Sequence, residues 1–81
     1  MNTTKKIKDM VVMVENISLG RDGAQTLSLT DRDGNKYITT LYKGWTNYGR
    51  YNVGDEFLIK SCRLFEWSAD LGILKYLRIK H

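Results

Sequence analysis

Gln25-Thr26-Leu27-Ser28-Leu29-Thr30-Asp31-Arg32-Asp33-Gly34-Asn35-Lys36-Tyr37-Ile38-Thr39-Thr40-Leu41 places leucines between hydroxylated residues on one side of an Asp-Gly step and a β-branched, aromatic run on the other. Alternation with a period of two is the pattern of a half-buried strand, and Asp-Gly tolerates the positive φ that a two-residue type I′ turn needs at both central positions. The stretch reads as a β-hairpin. With Arg32 opposite Asn35, Thr30 meets Tyr37, Leu29 meets Ile38, Ser28 meets Thr39, Leu27 meets Thr40 and Thr26 meets Leu41. Leu27, Leu29 and Ile38 then face a core. Thr26, Ser28, Thr30, Tyr37 and Thr39 form a hydroxyl-rich outer face, suited either to a nucleic-acid strand or to plain solvent.

The flanking sequence continues in strands. Met10 to Val14 is β-branched and Met-rich, and Ile17 and Leu19 carry the apolar pattern on at the opposite parity, which predicts a bulge near Glu15 and Asn16 that bends a long first strand. Gly20-Arg21-Asp22-Gly23 is a hairpin loop into strand two. Asn52-Val53-Gly54-Asp55 is a turn, and Glu56 to Leu64 is a fourth strand with Phe57 and Ile59 inward and Leu58, Cys62 and Leu64 on the other face. Phe65 to Gly72 reads as a loop carrying Trp67. Ile73 to Lys80 is the fifth strand, with Ile73, Leu77 and Ile79 on one face and Leu74, Tyr76, Arg78 and Lys80 on the other. The chain has no proline and one stretch with helical spacing, so the expected class is mostly β. Residues 1–81 form one domain, with residues 1–6 as a loose N-terminal lead.

That helical spacing belongs to Tyr42-Lys43-Gly44-Trp45-Thr46-Asn47-Tyr48-Gly49-Arg50-Tyr51, where Tyr42, Trp45 and Tyr48 recur every third residue. Aromatic faces stack on any base and cations displace counterions from phosphates, so this mixture suits single-stranded nucleic acid. The same aromatics can equally plug a small barrel. Tyr42 and Trp45 are assigned to the plug, and Lys43, Tyr48, Arg50 and Tyr51 to contact with a ligand.

Lys and Arg total 13 against 9 acids, a formal net charge of +4. Residues 1–40 hold six cations and five acids and residues 41–81 hold seven and four, so an electrostatic footprint for a polyanion leans on the second half. The one cysteine, Cys62, excludes an intrachain disulfide framework and reads as a small buried hydrophobe in a reducing, cytoplasmic setting. No run of residues approaches the length of a membrane span. Catalysis is not expected. The one histidine is His81, Cys62 has no partner at metal or nucleophile spacing, and Asp22, Asp31, Asp33 and Asp55 sit at turns where backbone hydrogen bonds account for them. No cofactor, metal or small-molecule substrate is implied.

Five strands, a bent first strand and a short helix or loop between strands three and four resemble the OB-fold, a five-stranded Greek-key barrel that binds single strands across strands two and three. The length, the hairpin-rich layout and the ending Leu71-Gly72-Ile73-Leu74-Lys75-Tyr76-Leu77-Arg78-Ile79 look like the small single-stranded DNA-binding proteins of filamentous phages, OB-like dimers that coat DNA during replication. That resemblance implies tyrosines and basic residues on an outer face, an aromatic before the last strand and an arginine on it, places held here by Tyr37, Trp67 or Phe65, and Arg78. The chain departs from those proteins in having no proline and in offering only Arg21 on its first hairpin.

Two expectations of different kind follow. One is a binder of single-stranded DNA or RNA with little sequence preference, using Tyr37, Lys43, Tyr48, Arg50, Tyr51, Arg63, Trp67, Tyr76, Arg78 and Lys80. The other is a protein-interaction module, OB-like or SH3-like, because Val11, Met13, Leu58, Leu64 and Leu74 fall on faces assigned outward, a surface that a homodimer would bury.

Overall fold

A computed structural model of the chain describes residues 3–69 and 72–79. Five strands, β1 (Thr3–Leu19), β2 (Gln25–Asp31), β3 (Lys36–Leu41), β4 (Glu56–Ala69) and β5 (Gly72–Ile79), close into a barrel in the order β1-β2-β3-β5-β4, with β4 returning to β1. The closure of β3 onto β5 is parallel, through Ile38 opposite Tyr76, and every other pairing is antiparallel. The architecture is the OB-like five-stranded barrel expected.

β1 can serve both β2 and β4 because it bends twice. Val14 pairs with Leu29 and Asn16 with Ser28, so Glu15 is the extra residue of a bulge at the predicted place. Its carboxylate accepts hydrogen bonds from the Thr30 hydroxyl and the Lys36 ammonium, the latter at 2.9 Å. The Thr30 bond first, then Lys36, holds the Glu15 carboxyl below its ordinary pKa. Asp9 is the second irregularity, with φ of 56°. Ile7 packs on the core opposite Cys62, and Met10 does so opposite Ile59, so both strands exchange faces across this point. That exchange places Cys62 and Leu64 in the core at 4% exposure each, correcting the facing assigned to both along β4, while the reading of Cys62 as a small buried hydrophobe holds. The strand also starts at Thr3, because Thr3–Lys8 ladder onto Ser61–Glu66 where a loose lead was expected.

The hairpin around Asp33-Gly34 forms in a register one residue away from the one expected. Thr30 meets Lys36, Leu29 meets Tyr37 and Leu27 meets Thr39. Gly34 has φ of 87° while Asp33 is not among the positive-φ residues, which excludes a type I′ turn. The loop is instead Arg32-Asp33-Gly34, closed by the Asp31 amide donating to the Asn35 carbonyl at 3.0 Å and the Gly34 amide donating to the Asp31 carbonyl at 3.2 Å. The Asp31 carboxylate decides this choice. It accepts from the backbone amides of Asp33 and Asn35, at 2.9 Å each, and from the Asn35 side chain at 3.0 Å. The first hairpin repeats the solution with the same tripeptide, Arg21-Asp22-Gly23, between Gly20 and Ala24.

A slip of one residue exchanges the faces of β3. Tyr37, Thr39 and Leu41 are buried, and Ile38 and Thr40 are half-buried on the other side. Buried Thr39 is satisfied by donating to the Leu77 carbonyl at 2.7 Å. Val12, Val14, Leu27, Leu29, Leu41, Ile59 and Leu77 complete the core. β4 runs on to Ala69, so Trp67 lies on a strand opposite Leu74 and not in a loop. The segment from Tyr42 to Arg50 is a chain of turns, its amides bonding three residues back from Trp45 to Tyr42 and from Tyr48 to Trp45. No helix forms there. Gly44 and Gly49 sit at positive φ and break the run.

Candidate nucleic-acid interface

Beyond the face exchange at Lys60 and Ser61, alternation along β4 sends Leu64 inward and Arg63, Phe65 and Trp67 outward. β5 answers with Leu77 inward and Tyr76 and Arg78 outward. The ladder then sorts these groups into rows: Lys6 of β1 opposite Arg63, Arg63 opposite Arg78, Phe65 opposite Tyr76, and Trp67 opposite Leu74. Three cations stand side by side in the first row, and aromatics fill the rows after it.

Two adjoining clefts lie over these rows. One, of about 440 Å³, is lined by Lys6, Ser61, Cys62, Arg63, Arg78, Ile79 and Trp45. The other, of about 430 Å³, is lined by Thr40, Tyr42, Trp45, Phe65, Trp67, Tyr76, Arg78 and Ile79. Trp45, Arg78 and Ile79 belong to both, so the clefts form one groove with a cationic end and an aromatic end. Trp45 also packs on the core and meets the Tyr42 ring edge-on, 5.0 Å between centroids, while Tyr42 keeps 45% of its surface exposed. The turn segment thus supplies one wall of the groove, and the plug assignment is corrected for Tyr42.

Among the described residues, no carboxylate pairs with Lys6, Arg63 or Arg78; the ion pairs are Arg32 with Glu56 and Lys36 with Glu15. Like charges directly opposite on neighbouring strands oppose folding by a few tenths of a kcal/mol or more, about the size of a favourable cross-strand pair. An anion lying over the row removes that cost. Comparison with protein-family models, curated proteins and solved structures yields no match to this chain. The functional reading rests on the groove.

Of the residues expected to bind, Arg63, Trp67, Tyr76 and Arg78 meet in it. Tyr37 does not. It is 7% exposed, its hydroxyl donates to Asp31 at 2.8 Å and the Lys75 ammonium lies 5.8 Å from its ring centroid. Burial first, then the Asp31 carboxylate, raises its pKa well above the ordinary range. Tyr48 packs on the core with its hydroxyl donating to the Gly23 carbonyl, and the Tyr51 ring stacks on Phe57 at 4.4 Å. Burial raises the Tyr51 phenol as well. The Lys43 stem lies against Gly23, and Arg50 Nε donates to the Thr46 carbonyl at 2.6 Å, so both cations serve the turn segment. Lys80 lies outside the described residues.

Tyr42 and Trp45 join the site from the plug, Lys6 from the N-terminal lead, and Phe65, which the resemblance offered beside Trp67 as the aromatic before the last strand, joins from the outer face of β4. Lys6 enters because β1 pairs with β4 before the bend at Asp9. Phe65 was legible as the same-parity neighbour of Trp67 once β4 is allowed its full length.

Proposed function

We propose that this protein binds single-stranded nucleic acid, DNA foremost, with little sequence preference, in the groove across β1, β4 and β5. One observation carries the reading: a row of three cations, none of them paired with a carboxylate among the described residues, continues directly into a wall of Tyr42, Trp45, Phe65, Trp67 and Tyr76. Base stacking needs exposed π faces and backbone neutralisation needs cations beside them, whereas no array for reading base edges is required. In this reading the protein acts by binding and performs no covalent chemistry. Titrating a labelled single-stranded oligonucleotide at two salt concentrations tests it. Three cations that each neutralise one unit of phosphate charge give a slope of log affinity against log salt of about −2, and an absence of binding at low salt overturns the proposal.

A self-association reading has its own observation. Met13 and Leu58 are 42% and 51% exposed, and Val11 stands directly opposite Leu58. Leu64 is withdrawn from that patch into the core, and Leu74 lies apart from it opposite Trp67. Sedimentation of the wild type and of Leu58→Lys decides it: a dimer that the substitution splits supports the reading, and a wild-type monomer at high concentration removes it.

A further inference from the structure

We infer that the cationic end of the groove receives a terminal phosphate monoester, so that the protein engages a phosphorylated end of the single strand; the inference rests on the binding reading above. Three strands each bring one cation to the same place. Lys6, Arg63 and Arg78 occupy successive cross-strand positions and line one cleft together with Ser61. Directly opposed residues on antiparallel strands have Cα atoms about 4.5 to 5.5 Å apart, so a single small anion can be reached from all three.

The arrangement exceeds what an internal linkage asks for. A phosphodiester carries one negative charge, whereas a phosphate monoester carries about −1.5 to −2 near neutral pH and offers three acceptor oxygens. The three positive charges of the row come nearer to a monoester's charge than to a diester's, and its three oxygens, each with more than one lone pair, can accept from all three cations and the hydroxyl. The order of the groove agrees with this. A strand threaded through its middle would be followed by cations interleaved with stacking groups, but here the cations form one row at one end and Phe65, Tyr76 and Trp67 follow in the rows beyond it. A terminal phosphate seated in the cationic row places the first bases of its strand against those aromatics.

The test compares one internally labelled oligothymidylate in three versions: 5′-phosphorylated, 3′-phosphorylated and hydroxyl-ended. One phosphorylated version is expected to bind about tenfold tighter than the hydroxyl-ended strand, the size of an added charge-assisted contact, and Arg63→Gln should narrow that difference. Circular dichroism establishes that the variant is folded, and Lys6→Gln serves in its place if it is not. Equal affinity for all three versions overturns the terminal-phosphate inference while leaving the groove as a binder of internal strand. Failure of every version to bind overturns both.

Discussion

Arg63 on β4 and Arg78 on β5 stand directly opposite each other in the antiparallel ladder, Lys6 stands on the far side of Arg63, and among the described residues no acid is paired with any of them. A protein that only needed to fold gains nothing from this row. Removing its central charge should therefore separate stability from binding. Arg63→Gln is expected to raise stability by about 0.2 to 1 kcal/mol in low salt, while weakening oligonucleotide affinity and making the salt slope shallower by about 0.7. Urea melts and titrations on the same preparation check both directions.

Trp67 and Tyr37 should respond in opposite ways. Trp67 is a half-buried groove residue on the outer face of β4, so Trp67→Ala should cost roughly 1 to 3 kcal/mol of binding per lost stacked base and leave most of the stability. Tyr37 is buried in the barrel. Tyr37→Ala should cost about 3 to 5 kcal/mol of stability, with affinity preserved in the fraction that remains folded. Trp45 both packs on the core and lines the groove, so its truncation is expected to lower both quantities.

The same tyrosine gives the fold an alkaline limit. Because burial and Asp31 raise the Tyr37 pKa in the folded state, its contribution is fully present below the unfolded value of about 10 and is lost as pH rises above it. Tyr51, raised by burial, acts in the same direction. Asp31 sets the acid side. Burial pushes its carboxyl up, but bonds from the Asn35 side chain, the Tyr37 hydroxyl and the backbone amides of Asn35 and Asp33 more than offset this, leaving the pKa lowered. Its contribution is present above about 4 and is lost as pH falls through the folded value. Melting temperature against pH should fall at both ends, and Tyr37→Phe should flatten the alkaline limb without abolishing it.

Gly34 tests the hairpin. A Cβ there meets nothing within 4 Å, yet φ is 87°, so any effect of Gly34→Ala comes from the backbone alone and should cost about 1 to 2 kcal/mol. Gly34→Asn should cost less, since asparagine tolerates the left-handed region. Equal destabilisation by both, read from urea melts, would show that the loop rejects side chains for another reason.

Strand count, the bulge at Glu15, the two glycine-closed hairpins and the inward face of Leu27 and Leu29 were legible from the residues alone, because each depends on local periodicity or on what φ a residue tolerates. Long-range pairing settles what local rules leave open. Asp-Gly is compatible with a two-residue and a three-residue loop, and only the bonds gathered by the Asp31 carboxylate select the longer one, which turns Tyr37 inward and removes it from the candidate site. Phe65 to Ala69 carries too little alternation to announce a strand, yet partners on β5 make it one. Lys6 becomes a neighbour of Arg63 and Arg78 only when the barrel closes, because their proximity is a property of register between strands distant in the chain. The aromatic and cationic residue types were legible in advance. Their assembly into one groove was not, since face and row are fixed by pairing and not by the residues themselves.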